Sequence, residues 1–198
     1  MLHGERGTNE KGCVMMMKKV GAFALGILLT IAGTCMASIP REECAIGGIT
    51  LNSKPDQIRA IYGTPTHEWT KQFTGYRNIV TNLYMVYGDS FKMLLTDYHD
   101  DGNYYMHNII TTANNGLGTP SGLMVGDPLE KAVTLYGMPD KVIDVSTHRY
   151  THYVSNQDLK AVGKGRKEAI YNNRFGGILI IKAKKDKIVS LEIQSTTE

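Results

Sequence analysis

Cysteine is scarce: three residues in 198, with no CxxC spacing between Cys13, Cys35 and Cys44. That excludes a zinc ribbon, an iron–sulfur centre and a disulfide-dense scaffold. An excess of one charge is also missing. Lys plus Arg is 22 and Asp plus Glu is 19, a net charge of +3. A general nucleic-acid binder would carry a strong basic excess, so no nucleic-acid partner is expected. A phosphate-loop motif is absent as well. What is present is a composition that can fold. Hydrophobic residues make up 42% and charged residues 21%, enough for a packed core and against wholesale disorder.

The N-terminus reads as an export signal. Lys18 and Lys19 precede residues 20–37, an uncharged stretch with Leu and Ile in its middle and small residues at its end. Cys35 and Ala37 suit cleavage before Ser38. The residues ahead of Met15 look foreign to a signal, and Met15, Met16 or Met17 is a possible start. Two alternatives keep the protein at a membrane: an uncleaved anchor over residues 20–37, or lipidation at Cys35. Ala32, Gly33 and Thr34 are a poor lipidation box. The expectation is an exported protein (periplasmic, cell-surface or secreted) starting near Ser38. Without residues 1–37 the net charge falls to +1, because Arg6, Lys11, Lys18 and Lys19 leave with Glu5 and Glu10. Cys44 then has no intramolecular disulfide partner. Glu42 and Glu43 would raise its pKa rather than activate it.

The rest of the chain carries an internal repeat. Ile49-Thr-Leu-Asn-Ser-Lys-Pro-Asp-Gln-Ile-Arg-Ala-Ile-Tyr-Gly-Thr-Pro65 parallels Leu123-Met-Val-Gly-Asp-Pro-Leu-Glu-Lys-Ala-Val-Thr-Leu-Tyr-Gly-Met-Pro139. Tyr62, Gly63 and Pro65 recur as Tyr136, Gly137 and Pro139, an offset of 74. Each copy spells a short helix. In the second, Asp127 is the expected N-cap, Pro128 suits the first position and Glu130 completes a capping box. Leu129, Ala132, Val133 and Tyr136 share one face. In the first, Ser53 is the expected cap with Asp56 at the box position. Gly63 with Pro65 and Gly137 with Pro139 read as helix stops, with the glycines in the left-handed conformation.

After each helix the period changes to two. Segments 83–87 and 91–96 read as strands joined across Gly88-Asp89-Ser90, followed by 104–111. In the second copy 149–154 and 178–184 read as strands, and Val189, Leu191 and Ile193 alternate with polar residues. The fold class is therefore α+β: two tandem repeats, each a short helix on an antiparallel meander. The expected organisation is a signal over 1–37, an N-terminal segment over 38–46, repeat 1 over 47–113, a turn-rich linker over 114–122 and repeat 2 over 123–198. Repeat 2 holds about ten extra residues, expected between Ser155 and Phe175. A unit of about seventy residues is marginal alone, so the two sheets are expected to pack or join.

The segment Gly122-Leu-Met-Val-Gly-Asp-Pro-Leu-Glu-Lys-Ala-Val-Thr-Leu-Tyr-Gly-Met-Pro139 resembles the superfamily of small outer-membrane assembly lipoproteins and β-lactamase inhibitor proteins. The tandem layout looks most like the inhibitor family, whose two repeats share one long curved sheet. The resemblance implies a non-enzymatic exported protein that binds other proteins through its sheet or loops. Two features depart from it: no disulfide is possible after cleavage, and Cys35 lacks a good lipidation box.

Candidate chemistry is thin. In Asp97-Tyr-His-Asp-Asp-Gly-Asn103 alternate acids could suggest a calcium loop, but Asn108 stands where the closing Glu belongs, so Asp101-Gly102 reads as a hairpin turn. His148 and His152 would share one face of a strand, without a third ligand. His67 and His107 are isolated. Lys164-Gly-Arg-Lys167 reads as a solvated basic loop. No catalytic residue, metal ligand or cofactor is expected.

Aromatics are the stronger signal. There are 11 Tyr against 4 Phe, and Trp69, Phe73, Tyr76, Tyr84, Tyr87, Tyr98, Tyr104 and Tyr105 crowd the first copy. Tyr offers stiff contact area with a polar tip. Trp69, Tyr76, Tyr84, Tyr87, Tyr104 and Tyr105 are the candidate binding residues for a protein or cell-envelope partner. Alternation sends Tyr84 and Tyr87 to opposite faces. The rival readings are a metal-dependent hydrolase using His148 and His152, and a structural envelope protein or membrane-anchored assembly factor.

Overall fold

Alternating apolar and polar residues draw most of the chain into one antiparallel sheet. The structure, a computed structural model, describes residues 39–74, 79–174 and 176–196. The proposed export signal and Tyr76 lie outside the described residues.

A 3-10 turn over Arg41–Glu43 leads into a small hairpin, β1 (Ala45–Ile46) and β2 (Ile49–Thr50). Helix α1 spans Pro55–Tyr62. It is followed by β3 (His67–Thr74), β4 (Ile79–Tyr87), β5 (Phe91–Asp97) and β6 (Tyr105–Thr111). Helix α2 spans Leu129–Tyr136. Then come β7 (Lys141–Asp144), β8 (Tyr150–His152), helix α3 (Asn156–Gly163), β9 (Lys167–Asn173), β10 (Gly177–Lys184) and β11 (Lys187–Ser195). The sheet has nine strands in the order β3-β4-β5-β6-β11-β10-β9-β7-β8, every neighbouring pair antiparallel. The protein is mixed α+β and mostly β. Among the described residues no helix is long and apolar enough to cross a membrane.

One face of the sheet makes the core. Leu83, Met85, Phe91, Met93, Leu95, Ile109, Leu179, Ile181, Leu191 and Ile193 form a contiguous apolar cluster with Ile58 of α1, Leu129, Ala132 and Tyr136 of α2, and Val162 of α3. Each Val, Leu, Ile, Phe or Met among them contributes about 1.5–3 kcal/mol by leaving water. At the junction of β6 and β11, Ile109 stands opposite Ile193 and Thr111 opposite Leu191. A bulge interrupts the β5–β6 ladder at Leu94/Leu95, and another the β10–β11 ladder at Lys182/Ala183.

Both helix stops form. The N–H of Gly63 donates to Arg59 O and that of Gly137 to Val133 O, each at 2.8 Å. Their φ values are positive, 75° and 76°, as expected. Their ψ values are −154° and −161°, outside the left-handed helical region and in a region open essentially to glycine alone. A tyrosine seals each stop. Tyr87 Oη donates to Gly63 O at 3.1 Å, and Tyr171 Oη donates to Gly137 O at 3.2 Å. Each also packs on the last helical tyrosine: Tyr62–Tyr87 ring centroids are 5.4 Å apart, and Tyr136–Tyr171 centroids 5.7 Å.

The N-terminal caps differ from expectation by one residue. Helix α1 begins at Pro55, so Lys54 is the cap, and its N–H donates to Gln57 Oε1 at 2.9 Å. Ser53 Oγ instead accepts from Thr50 N at 3.0 Å. Helix α2 begins at Leu129 with Pro128 as cap. Asp127 braces the preceding turn, accepting from Met124 N and Lys131 Nζ, both at 2.8 Å.

The second half departs most from the sequence reading. The strand read at 149–154 is only Tyr150–His152, at the far edge of the sheet. The supposed insert is largely ordered structure, helix α3 and strand β9. Ser155 caps α3, and its N–H donates to Asp158 Oδ2 at 3.0 Å. The basic run 164–167 is the turn out of α3. Its Lys167 belongs to β9 and pairs with Asp158 at 2.6 Å, so it is not a freely solvated charge.

Candidate interaction face

Residues directly opposed in a sheet share a face, so the register defines what the side away from the core presents. One row runs from Trp69 through Tyr84, Leu94, Asn108 and Gln194 to Ile178. The next runs from His67 through Val86, Lys92, Ile110 and Glu192 to Ile180 and Ile170, the last two buried, so the exposed part of the row ends at Glu192. The first row opens with an aromatic platform. Trp69 stacks on Tyr84 with centroids 4.9 Å apart and planes within 4°. Such a stack contributes about 0.5–1.5 kcal/mol beyond its buried area. Trp69 nevertheless keeps 48% of its surface in water, so much of the indole remains for another contact. On the same stripe of β3, the Lys71 ammonium sits 4.8 Å from the Phe73 ring centroid. Further along, Asn108 Nδ2 donates to Glu192 Oε1 at 3.2 Å.

The six candidate binding residues therefore separate. Trp69 and Tyr84 come together on the outer face. Tyr87 lies on the core side, half-buried and engaged with Gly63 and Tyr62; burial pushes its phenol up. Tyr104 is half-buried against the core, and its carbonyl accepts from Lys54 Nζ at 2.7 Å. Tyr105 is exposed, with Tyr98 6.3 Å away and the Lys54 ammonium 4.3 Å from its ring centroid. These last two sit at the Asp97–Tyr105 turn rather than on the Trp69 platform.

Polar groups elsewhere are occupied with structure. Asp97 is buried, and its carboxylate accepts from His99 N at 3.0 Å and Gly102 N at 2.7 Å. Burial pushes its pKa up, but those N–H groups outweigh it and hold the carboxyl below its ordinary value. The acids of this loop thus serve the turn. Glu43, also buried, accepts from Tyr136 Oη at 2.6 Å and Ser121 Oγ at 2.7 Å, tying the N-terminal turn to α2. Neither network was visible in the sequence, because both depend on long-range packing or on backbone N–H groups.

His148 and His152 do not share a strand. His148 stands in the β7–β8 turn with φ 55°, and only His152 belongs to β8. Among the described residues no three His, Cys, Asp or Glu side chains gather as metal ligands. A cleft of about 460 Å³ opens beside the β1–β2 hairpin, lined by Cys44, Leu51, Asn52, Met106, Asn173 and Ser195 among others, with no histidine in its wall. Burial first, and Glu43 second, push the Cys44 thiol up to about 11. It is a packed side chain: a Cβ added at Gly177 would stand 2.9 Å from its sulfur.

No family model matches the chain, and neither a curated protein nor a solved structure matches it.

Proposed function

We propose that the protein is an exported, non-enzymatic binding module that engages a protein or cell-envelope partner through the outer face of its sheet. The observation that carries this reading is the Trp69–Tyr84 stack, which opens a row of side chains on the face opposite the core. Stiff aromatic surface left in water is what interfaces use for anchoring. Export rests on the basic-then-apolar pattern of residues 18–37.

In this reading the scaffold is a duplicated helix-plus-meander unit whose sheets join in one curved sheet. The Tyr62–Gly63–Tyr87 and Tyr136–Gly137–Tyr171 clusters support it, with matching bonds and ring contacts. So does strand order: β3-β4-β5-β6 and β7-β9-β10-β11 run inward from either side to meet at β6 and β11, each with a bulge in its last ladder. Strand β8 and helix α3 are then the additions peculiar to the second unit.

The test is co-purification from the native envelope with and without Trp69→Ala and Tyr84→Ala. Both side chains are off the core, so the circular dichroism spectrum should be kept. A specific partner should be lost. A partner retained by the double variant would overturn the assignment of the face.

A further inference from the structure

Strand β3 lies at one edge of the sheet. Its eight residues pair with β4 without a register break, from His67–Val86 to Thr74–Ile79, and all eight are exposed. A strand edge presents a row of unpaired N–H and C=O groups. Proteins usually blunt such edges with shortness, charged side chains, proline, a bulge or a covering element; of these β3 carries only two charges, Glu68 and Lys71. β3 contains no proline, shows no bulge and is covered by nothing among the described residues. The opposite edge strand, β8, has only three residues. Exposed large apolar residues also gather on the β3–β4 hairpin: Trp69, Phe73 and Ile79.

We infer that this edge pairs with β3 of a second copy of the chain, antiparallel, about a twofold axis at Thr70. A twofold axis normal to the sheet keeps the two outer faces on one side and sets one residue opposite itself. For the strand His67–Thr74, only axes at Thr70 or Lys71 engage all but one of its residues. An axis at Lys71 opposes two ammonium groups, which is destabilising. An axis at Thr70 opposes Thr70 to the partner's Thr70, Lys71 to the partner's Trp69, and Glu68 to the partner's Gln72. No like charges stand directly opposite one another, the two Lys71 side chains being diagonal neighbours, and each Lys71 ammonium faces an indole, the best of the aromatic partners for a cation. The Lys71 side chain is already disposed toward aromatic surface, over Phe73. The product is one continuous sheet of doubled width, with two Trp69–Tyr84 platforms side by side. This goes beyond the proposed function, because the dimer contact is the strand edge and the partner contact is the face.

The test is sedimentation of the full chain, as the cell leaves it, over a concentration series. A reversible dimer is expected. Thr70 is exposed, so Thr70→Lys and Thr70→Glu should each keep the monomer's circular dichroism while weakening the dimer at least tenfold, by opposing like charges at the axis. Mixed in equal amounts, the two variants should dimerise again, now with opposite charges facing. Under oxidation, Thr70→Cys should give a disulfide-linked dimer. A wild-type chain that stays monomeric overturns the inference. So does a dimer indifferent to Thr70→Lys, or folded variants that fail to re-pair on mixing.

Discussion

Replacing Gly63 by Ala isolates the backbone cost of its helix stop. At Gly63 an added Cβ meets nothing within 4 Å, so no collision contributes. What remains is conformation. Gly63 and Gly137 both hold positive φ with ψ near −154° and −161°, a region that costs a residue with a side chain about 1–3 kcal/mol. Alanine returns about 0.4–1 kcal/mol by restricting the unfolded chain. The net expectation is about 1–2 kcal/mol at Gly63. In urea, followed by far-ultraviolet circular dichroism, that is a midpoint lowered by about 0.5–1 M with unchanged slope. Asn supplies the discriminating control. It tolerates the left-handed helical region but gains nothing at this ψ, so Gly63→Asn should be as damaging as Gly63→Ala. If Asn restores wild-type stability, or Ala is neutral, the reasoning about these stops is refuted.

Other predictions follow from single contacts. Lys167 first, then Ser155, hold Asp158 at about 2, below its ordinary 3.8. A depressed carboxylate stabilises fully above its unfolded value and loses that contribution as pH falls toward the folded one. Stability should therefore drop by about 1 kcal/mol between about pH 5 and pH 2, the modest size reflecting solvent screening, and Asp158→Asn should flatten that segment of the urea-midpoint profile. Cys44 is 5% exposed with its thiol pushed up to about 11. Iodoacetamide at neutral pH should leave it unmodified in the folded protein and alkylate it promptly in denaturant, as read by mass spectrometry; rapid labelling of the native protein would contradict its packed role.

Parts of this fold are legible in sequence because their signals are local. The β4–β5 hairpin is written in alternation on both sides of Gly88-Asp89-Ser90, and the structure gives Ile79–Tyr87 and Phe91–Asp97. The helix stops are written in Tyr-Gly-x-Pro. Strand β3 escapes because its inward positions, Glu68, Thr70, Gln72 and Thr74, are polar: an edge strand beyond the core has no apolar alternation to show. Strand β7 buries only Val142. Helix α3 carried a readable sign, Ser155 with Asp158 three residues on, but the lysines around it suggested a solvated loop. The junction of β6 with β11 joins residues more than seventy positions apart, and no periodicity specifies which edges meet. At the candidate site, alternation separates Tyr84 from Tyr87 correctly. The Trp69–Tyr84 platform needed the β3–β4 register, which the sequence reading did not contain.

Photo-crosslinking in the native host bears most directly on the outer face as the working surface. A photoreactive residue is placed at Trp69 or Leu94 on that face, and at Thr134, exposed on helix α2, as the control. The account predicts a discrete heterologous adduct from the two face positions and none from Thr134. Adducts from Thr134 alone, or equal labelling from all three positions, would contradict it.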